Sequence, residues 1–374
     1  MNRRLFGRKV TSLPLLRTSN STDRMAYQIS GIQQVGIGVP QVDEAWAFYA
    51  KTFGQQARVF REAAPAPFMT RYTGNTVQSR DALLAINLAG GGGMEIWQYT
   101  SRTPEAPKEA VRLGDLGIVA ARIRCRNVSD YRNELHAWGV ETLHRGQLRD
   151  PLGRAVLWLR DPYGNPFYVV QDDRRFSDVS HLTSGPAGVQ IGVSDVDRSI
   201  ALYRDVLGYD VVAFDETGTF EDLAPLAPDL PTVRRVILQH SQARKGPFSE
   251  LFGSSEIELI ERQDKGGRKI FENRYWGDLG YIHLCFDITG MEGLKASLEA
   301  AGYPFTVDSG TTFDMGDAGG HFTYIEDPDG TLIEFVETHR IPILKKLGWY
   351  LDLRKRDPAK PLPRLLVKMM GWFG

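Results

Sequence analysis

The sequence predicts an α+β protein of four βαβββ modules, arranged as two tandem halves that form curved mixed sheets around a cavity. Three observations lead there. The tetrapeptide GDLG occurs twice, at Gly114–Gly117 and Gly277–Gly280, and each copy runs into a strand-like stretch, IVAARIRC or YIHLCFDI. Each is followed by an Asp-Pro-x-Gly turn, DPYG at Asp161–Gly164 and DPDG at Asp327–Gly330. Upstream of each GDLG, VGIGVPQVDEAWAFYAKTFGQQARVF (Val35–Phe60) and VQIGVSDVDRSIALYRDVLGYDVVAF (Val189–Phe214) share ten of 26 positions without a gap. The chain is thus two halves, each with two related modules.

Within a module the elements follow in one order. An alternating strand such as VGIGV comes first, with the period of two that a strand requires. An Asp-initiated helix follows: VDEAWAFYAKTFG sets apolar Ala45, Trp46, Phe48 and Tyr49 in a helical stripe and stops at Gly54. Three more strands complete the unit, among them LLAINLA and MEIWQYT in the first module and VRRVILQH and IELIE in the third. In the second and fourth modules the Asp-Pro-x-Gly turn joins the last two strands. One such unit cannot bury its own sheet, so pairs of units should close around a cavity. GGGG at Gly90–Gly93 has no Walker lysine and leads into a strand, so it reads as a hairpin loop rather than a phosphate cradle.

The halves read as residues 29–175 and 183–340. Residues 1–28 form a basic leader expected to lack fixed structure, with Arg3, Arg4, Arg8, Lys9, Arg17 and Arg24 against the single acid Asp23. An Arg- and Ser/Thr-rich leader is also how organelle-targeting peptides are composed, and Met25 is an alternative start. Residues 341–374 form a basic, aromatic extension with eight Lys or Arg against Asp352 and Asp357, expected to pack across its own domain or a subunit partner rather than rest on a membrane.

Composition narrows the function. A formal net charge of -1 on 374 residues leaves no electrostatic footprint for nucleic acid. No apolar run approaches a membrane span. Two cysteines, Cys125 and Cys285, are too few for a disulfide framework and point to a reducing cytoplasm.

The strand–Asp–helix–Tyr–Gly openings and DPxG endings, four modules in order over roughly Ile29–Thr338, resemble the vicinal oxygen chelate superfamily. That superfamily includes glyoxalase I, extradiol dioxygenases, methylmalonyl-CoA epimerase and bleomycin-resistance proteins. The resemblance implies that each module offers up to two ligands for one divalent metal, one on its first strand and one on its last. The positions are Gln34 and Glu95, Ala120 and Tyr168, Gly188 and Glu258, and His283 and Glu334. If the first module pairs with the fourth, the set is Gln34, Glu95, His283 and Glu334, the pattern of glyoxalase I, with the other crosswise pair having lost its ligands. If modules pair within the second half, the set is Glu258, His283 and Glu334. Completeness favours the crosswise set. Taken singly, a histidine on a strand is more often a hydrogen-bonding partner, and Glu95 or Glu258 an ordinary outward-facing position. His321 and Tyr324 lie near enough in the fourth module to support the site or touch a substrate, and Cys285 shares the face of His283.

One imidazole and three oxygen donors suit Zn, Mn, Ni, Co or Fe(II). The resemblance implies an isomerase, epimerase or lyase that moves a proton next to a carbonyl of a small, oxygen-rich, metal-chelating substrate. Glu334 is the expected base, with Glu95 or Gln34 steadying the opposite side. The long insertions Arg61–Arg80 and Phe214–Pro231 argue against glutathione as substrate. Two alternatives are an Fe(II) ring-cleaving dioxygenase, opposed by Gly188 where a histidine is needed, and a metal-free binding protein of the antibiotic-sequestering kind. With two cavities already complete in one chain, a homodimer is left open.

Overall fold

The computed structural model describes residues 26–227, 229–315, 318–344 and 349–370, so the basic leader and the terminal Trp372 and Phe373 lie outside the described residues. The first module is β1 (Gln28–Gly38), α1 (Val42–Phe53), β2 (Ala57–Pro65), β3 (Ser79–Ile86) and β4 (Gly93–Tyr99). The second is β5 (Gly117–Cys125), α2 (Val128–Ala137), β6 (Leu148–Arg149), β7 (Ala155–Arg160) and β8 (Pro166–Gln171). The third is β9 (Thr183–Gly192), α3 (Val196–Asp205), β10 (Val211–Gly218), β11 (Val233–Gln239), the short α4 (Ser249–Phe252) and β12 (Glu256–Arg262). The fourth is β13 (Gly280–Thr289), α5 (Met291–Ala300), β14 (Val307–Asp308), β15 (Phe313–Met315), β16 (Ala318–Glu326) and β17 (Leu332–Leu344).

The modules pair crosswise. One sheet runs β14-β16-β17-β13-β1-β4-β3-β2, built from modules four and one. The other runs β10-β11-β12-β9-β5-β8-β7-β6, from modules three and two. Each is joined across its middle by two first strands in antiparallel register, β1 with β13 and β5 with β9. Each tandem half is therefore split between the two sheets.

Side-chain alternation sorts each sheet into two faces. On the outer faces, Val35, Ile37, Leu284 and Phe286 of one sheet and Ile118, Ile123, Val189 and Ile191 of the other join the helices in a single continuous core. Within it Phe53 of α1 and Phe167 of β8 lie 4.5 Å apart between ring centroids. Such a pair adds about 1 kcal/mol beyond its buried area. The inner faces carry separate clusters, one around Trp97, Trp276, Cys285 and Tyr324, the other around Val156, Trp158, Tyr168 and Leu223.

The repeated residues turn out to be the joints of this arrangement. Tyr49 of α1 donates to Asp161 of the DPYG turn at 2.6 Å, and Tyr203 of α3 donates to Asp327 of the DPDG turn at 3.2 Å. Each Asp also caps its own turn through two backbone N–H groups. Burial pushes the Asp327 carboxyl up to about 6. The GDLG segments pass so close to the ends of β1 and β9 that a Cβ on Gly38 would sit 2.1 Å from the Asp278 carbonyl oxygen, and one on Gly192 1.9 Å from that of Asp115. Only glycine fits there, hence the shared final Gly of VGIGV and VQIGV. The α1 helix stops at Gly54 in the left-handed region (φ 64), while its N-cap, Gln41, makes no side-chain cap; α3 is capped by Asp195, which accepts from Arg198 N.

The C-terminal extension packs on its own chain. β18 (Trp349–Asp352) pairs with β17, and Leu353, Leu362 and, from α6 (Arg364–Met370), Val367 are buried against Phe176, Phe248 and Phe252. Trp349 and Leu365 stay exposed.

Across the β5–β9 seam, Glu256 accepts from Arg122 Nη2 and Arg154 Nη1, both at 2.8 Å. Burial would raise the Glu256 pKa, but the two guanidinium groups outweigh it and hold it down at about 2. A folded-state value below the unfolded one, near 4.3, stabilises the fold above that pH and withdraws support as pH falls toward 2. We expect urea midpoints to drop steeply between about pH 4.5 and 2. Glu256→Gln should be less stable at pH 7, by on the order of 3 kcal/mol, with a flatter acid profile.

Candidate metal centre

Four side chains from modules one and four meet on the inner face of the first sheet. Gln34 projects from β1, Glu95 from β4, His283 from β13 and Glu334 from β17. A bulge at Ile282 sets the register: Gly36 faces His283 and Ile37 faces Tyr281, so Ile282 and His283 both turn inward. Gly36 leaves the room this needs, because a Cβ there would lie 2.5 Å from the imidazole.

The geometry is tight. His283 Nε2 lies 3.0 Å from Glu95 Oε2 and 3.2 Å from Glu334 Oε2. Gln34 Nε2 donates to the same two oxygens at 3.2 and 3.3 Å. Ligand atoms of Glu95, His283 and Glu334 all fall within 4.8 Å of one another. His283 is fully buried, and Glu334 is 7% exposed. Burial alone would lower the His283 pKa, yet the Glu334 and Glu95 carboxylates outweigh it and raise it. The Glu334 carboxyl is raised by burial first, with the Glu95 charge adding to it.

Two converging carboxylates in a dry interior repel each other unless a cation sits with them. Here their protein company is a neutral amide, one imidazole and, beside Glu334, the Tyr324 hydroxyl and the Cys285 thiol, with no guanidinium or ammonium group among the described residues. The imidazole Nε2 makes no well-aligned hydrogen bond despite its proximity to both, and Gln34 Oε1 has no partner. Unused lone pairs around two buried charges are the donor set that a divalent ion completes, so the residues present fit one.

The surroundings are aromatic. Trp276 stacks on the His283 ring (centroids 6.3 Å, planes 18° apart), and Trp97 packs on Trp276 at 4.5 Å. Tyr324 meets His283 edge-on, its hydroxyl 3.4 Å from Nδ1. Burial and then Glu334 hold the Tyr324 hydroxyl and the Cys285 thiol well above their ordinary pKa values. Trp276 was not among the residues singled out from sequence, although it stands immediately before the second GDLG.

Two expectations need correction. Glu258 does not join His283 and Glu334: it lies on β12, in the other sheet, at the position there equivalent to Glu95. His321 is not near the site. Strand alternation on β16 turns it with Thr323 and Ile325 to the helix-covered face, where its Nε2 lies 2.6 Å from Asp308 Oδ1. Tyr324, one residue off in phase, points inward.

The second sheet's equivalent position is filled by charge. Glu258 accepts from Arg235 Nε at 2.6 Å, from Arg122, and from Gln190 Nε2 at 3.0 Å. Arg235, also fully buried, forms a bidentate pair with Asp222 at 2.8 and 2.9 Å, and Tyr168 donates to Asp222 at 2.7 Å. Ala120 faces Gln190 where His283 faces Gly36, so the large and small partners are exchanged. Guanidinium groups stand where a metal's charge would be needed.

Residues 180–335 match the family model described as Glyoxalase/Bleomycin resistance protein/Dioxygenase superfamily. That stretch, modules three and four, belongs to the superfamily. The chain's fold is that of glyoxalase I from Zea mays (15% identity, TM-score 0.51, covering 82% of this chain and 92% of that one). It is equally that of a putative dioxygenase from Bacillus subtilis subsp. subtilis str. 168 (13% identity, TM-score 0.51, covering 83% and 86%). No curated protein matches the sequence. Among the described residues, no helix is long and apolar enough to cross a membrane.

Arg235→Met should strand Glu258 and Asp222 as buried charges and cost about 3–5 kcal/mol in urea unfolding. The triple variant Arg235→Met/Glu258→Gln/Asp222→Asn should recover part of that loss. Equal stability of the single variant and the parent would show that the network carries no such cost.

Proposed function

We propose that the protein is a divalent-metal-dependent isomerase, epimerase or lyase that moves a proton next to a carbonyl of an oxygen-rich substrate. The observation that carries this reading is the meeting of Gln34, Glu95, His283 and Glu334 in one buried centre, with the Nε2 and Oε1 lone pairs unused. When bound, a divalent ion polarises a chelated carbonyl and spreads the negative charge that develops as the neighbouring C–H is lost.

The remaining chemistry belongs to the chain. Glu334 is the base: its carboxyl is buried, on β17 beside Glu95 and His283, where it can take the proton from carbon. Gln34 and Glu95 hold the opposite side of the centre, and Gln34 bridges both carboxylates through one amide. Trp276 and Tyr324 keep water from His283 and fix its ring plane. One imidazole beside two carboxylates reverses the usual proportion of an Fe(II) facial triad, so the proton-transfer reading is preferred to ring cleavage. Cys125 and Cys285, both buried and free, accord with a cytoplasmic setting.

Elemental analysis of protein purified without added metal should find about one divalent ion per chain. His283→Ala should lower that content at least about tenfold under the same dialysis. Tyr168→Phe, in the second cavity, should leave it unchanged. Protein that takes up none of Zn, Mn, Ni, Co or Fe(II) on titration would defeat the proposal in favour of a binding protein. Consumption of O2 with a catechol would replace it by ring cleavage.

A further inference from the structure

A cleft of about 470 Å³ opens beside the centre, within the range of small-molecule sites. Its walls come from three connections. Arg71 and Tyr72 belong to the insertion after β2, Lys269, Arg274 and Trp276 to the link between β12 and β13, and Asp329 to the DPDG turn. Trp276 forms a wall of the cleft and stacks on the His283 imidazole, so one indole separates the two spaces.

The charges of the cleft are unequally answered. Its acids are taken: Glu326 accepts from Tyr72 Oη at 2.7 Å and from Arg71, and Asp329 accepts from Ser194 N at 2.8 Å and Arg198 Nη2 at 3.0 Å. Its cations on the β12–β13 link are not. Arg274 donates only to main-chain carbonyls, those of Ile270 at 3.0 Å, Glu105 at 2.9 Å and Leu279, and its Nε is buried without a partner. The neighbouring Asp278 is already held by Arg102 and by the N–H groups of Glu105 and Tyr275. Lys269 Nζ has no ion pair or hydrogen bond among the described residues. The indole Nε1 of Trp276, on a residue 7% exposed, is likewise a buried donor with no acceptor.

An unpaired Lys269, an Arg274 whose hydrogen bonds go only to neutral carbonyls and whose guanidinium lies 4.7 Å from the Phe271 ring centroid, and the rings of Tyr72, Phe271 and Tyr281 in the lining describe a complementary guest. We propose that the cleft binds a planar, conjugated organic acid, its carboxylate anchored by Lys269 and Arg274 and its oxygen-bearing end against Trp276, the wall the cleft shares with His283. This names the substrate class of the proposed reaction and rests on that reading for its catalytic meaning, though not for binding.

The test uses the full chain stripped of metal with EDTA, titrated calorimetrically with 2-hydroxybenzoate and with its uncharged analogue 2-hydroxybenzamide. The acid should bind saturably, and the amide at least about tenfold more weakly, since the charge-assisted contacts are lost. Lys269→Ala should weaken the acid about fivefold or more and leave the amide unchanged, whereas Lys245→Ala, an exposed lysine outside the cleft, should alter neither. Equal affinity for acid and amide, no saturable binding of the acid, or an unaltered Lys269→Ala variant would each overturn the proposal. Metal uptake is measured on the same stripped preparations, freed of EDTA and titrated with Zn, Mn, Ni, Co or Fe(II). Binding of the acid at Lys269 by a protein that takes up no metal would uphold the cleft and remove the catalytic reading; metal uptake with no acid binding would do the reverse.

Discussion

Everything in this molecule depends on one antiparallel seam, the pairing of β1 with β13. A βαβββ unit has an inner face it cannot cover, and its first strand is the edge along which a second unit must join. Once residues 28–38 lie against residues 280–289, the donors of the first and fourth modules face a common space. Gly36 then yields to His283, and Gly38 to the backbone of the GDLG loop. The β5–β9 seam repeats the arrangement with different tenants.

The two cavities show two solutions to one electrostatic problem. Glu95 and Glu258 occupy equivalent strand positions, each a carboxylate turned into a closed space. Around Glu258, Arg235 and Arg122 supply positive charge from neighbouring strands, and Asp222 balances the excess. Around Glu95, among the described residues, stand an imidazole, an amide and a second carboxylate that meets the Tyr324 hydroxyl and the Cys285 thiol, and no guanidinium. The first solution is self-sufficient and needs nothing from solution. The second leaves the His283 Nε2 and Gln34 Oε1 without a hydrogen-bond partner, as a site fitted to an ion from outside would.

Much of this could be read in the sequence, and the remainder depends on register. The repeats GDLG and DPxG exposed the modules because the same joints recur: Tyr49 with Asp161, Tyr203 with Asp327, Gly38 with Asp278. The set Gln34, Glu95, His283 and Glu334 could be assembled because each module keeps its place for an inward side chain. Strand patterns alone allow either pairing of modules, and it was the completeness of the ligand set that pointed to the crosswise one the sheets adopt. Glu258 looked as good a ligand as Glu95, and what distinguishes them is Arg235, two strands' connection away and visible only across the β11–β12 ladder. His321 could have been excluded earlier, because Tyr324 lies three residues along the same strand and an odd spacing turns the two to opposite faces. Trp276 gave no period or motif of its own.

The crosswise seam also has a consequence for how the chain is made. Modules two and three are contiguous, so the second sheet can close as soon as residue 262 has left the ribosome. The first module is finished by residue 99, but its partner strands end only at residue 344. At roughly 5–20 residues per second, that interval is on the order of ten seconds or more. Throughout it the β1 edge and the apolar inner face of β1–β4 wait uncovered, with the later-made sheet already folded beside them. Of the four modules, the first to be made is thus enclosed last.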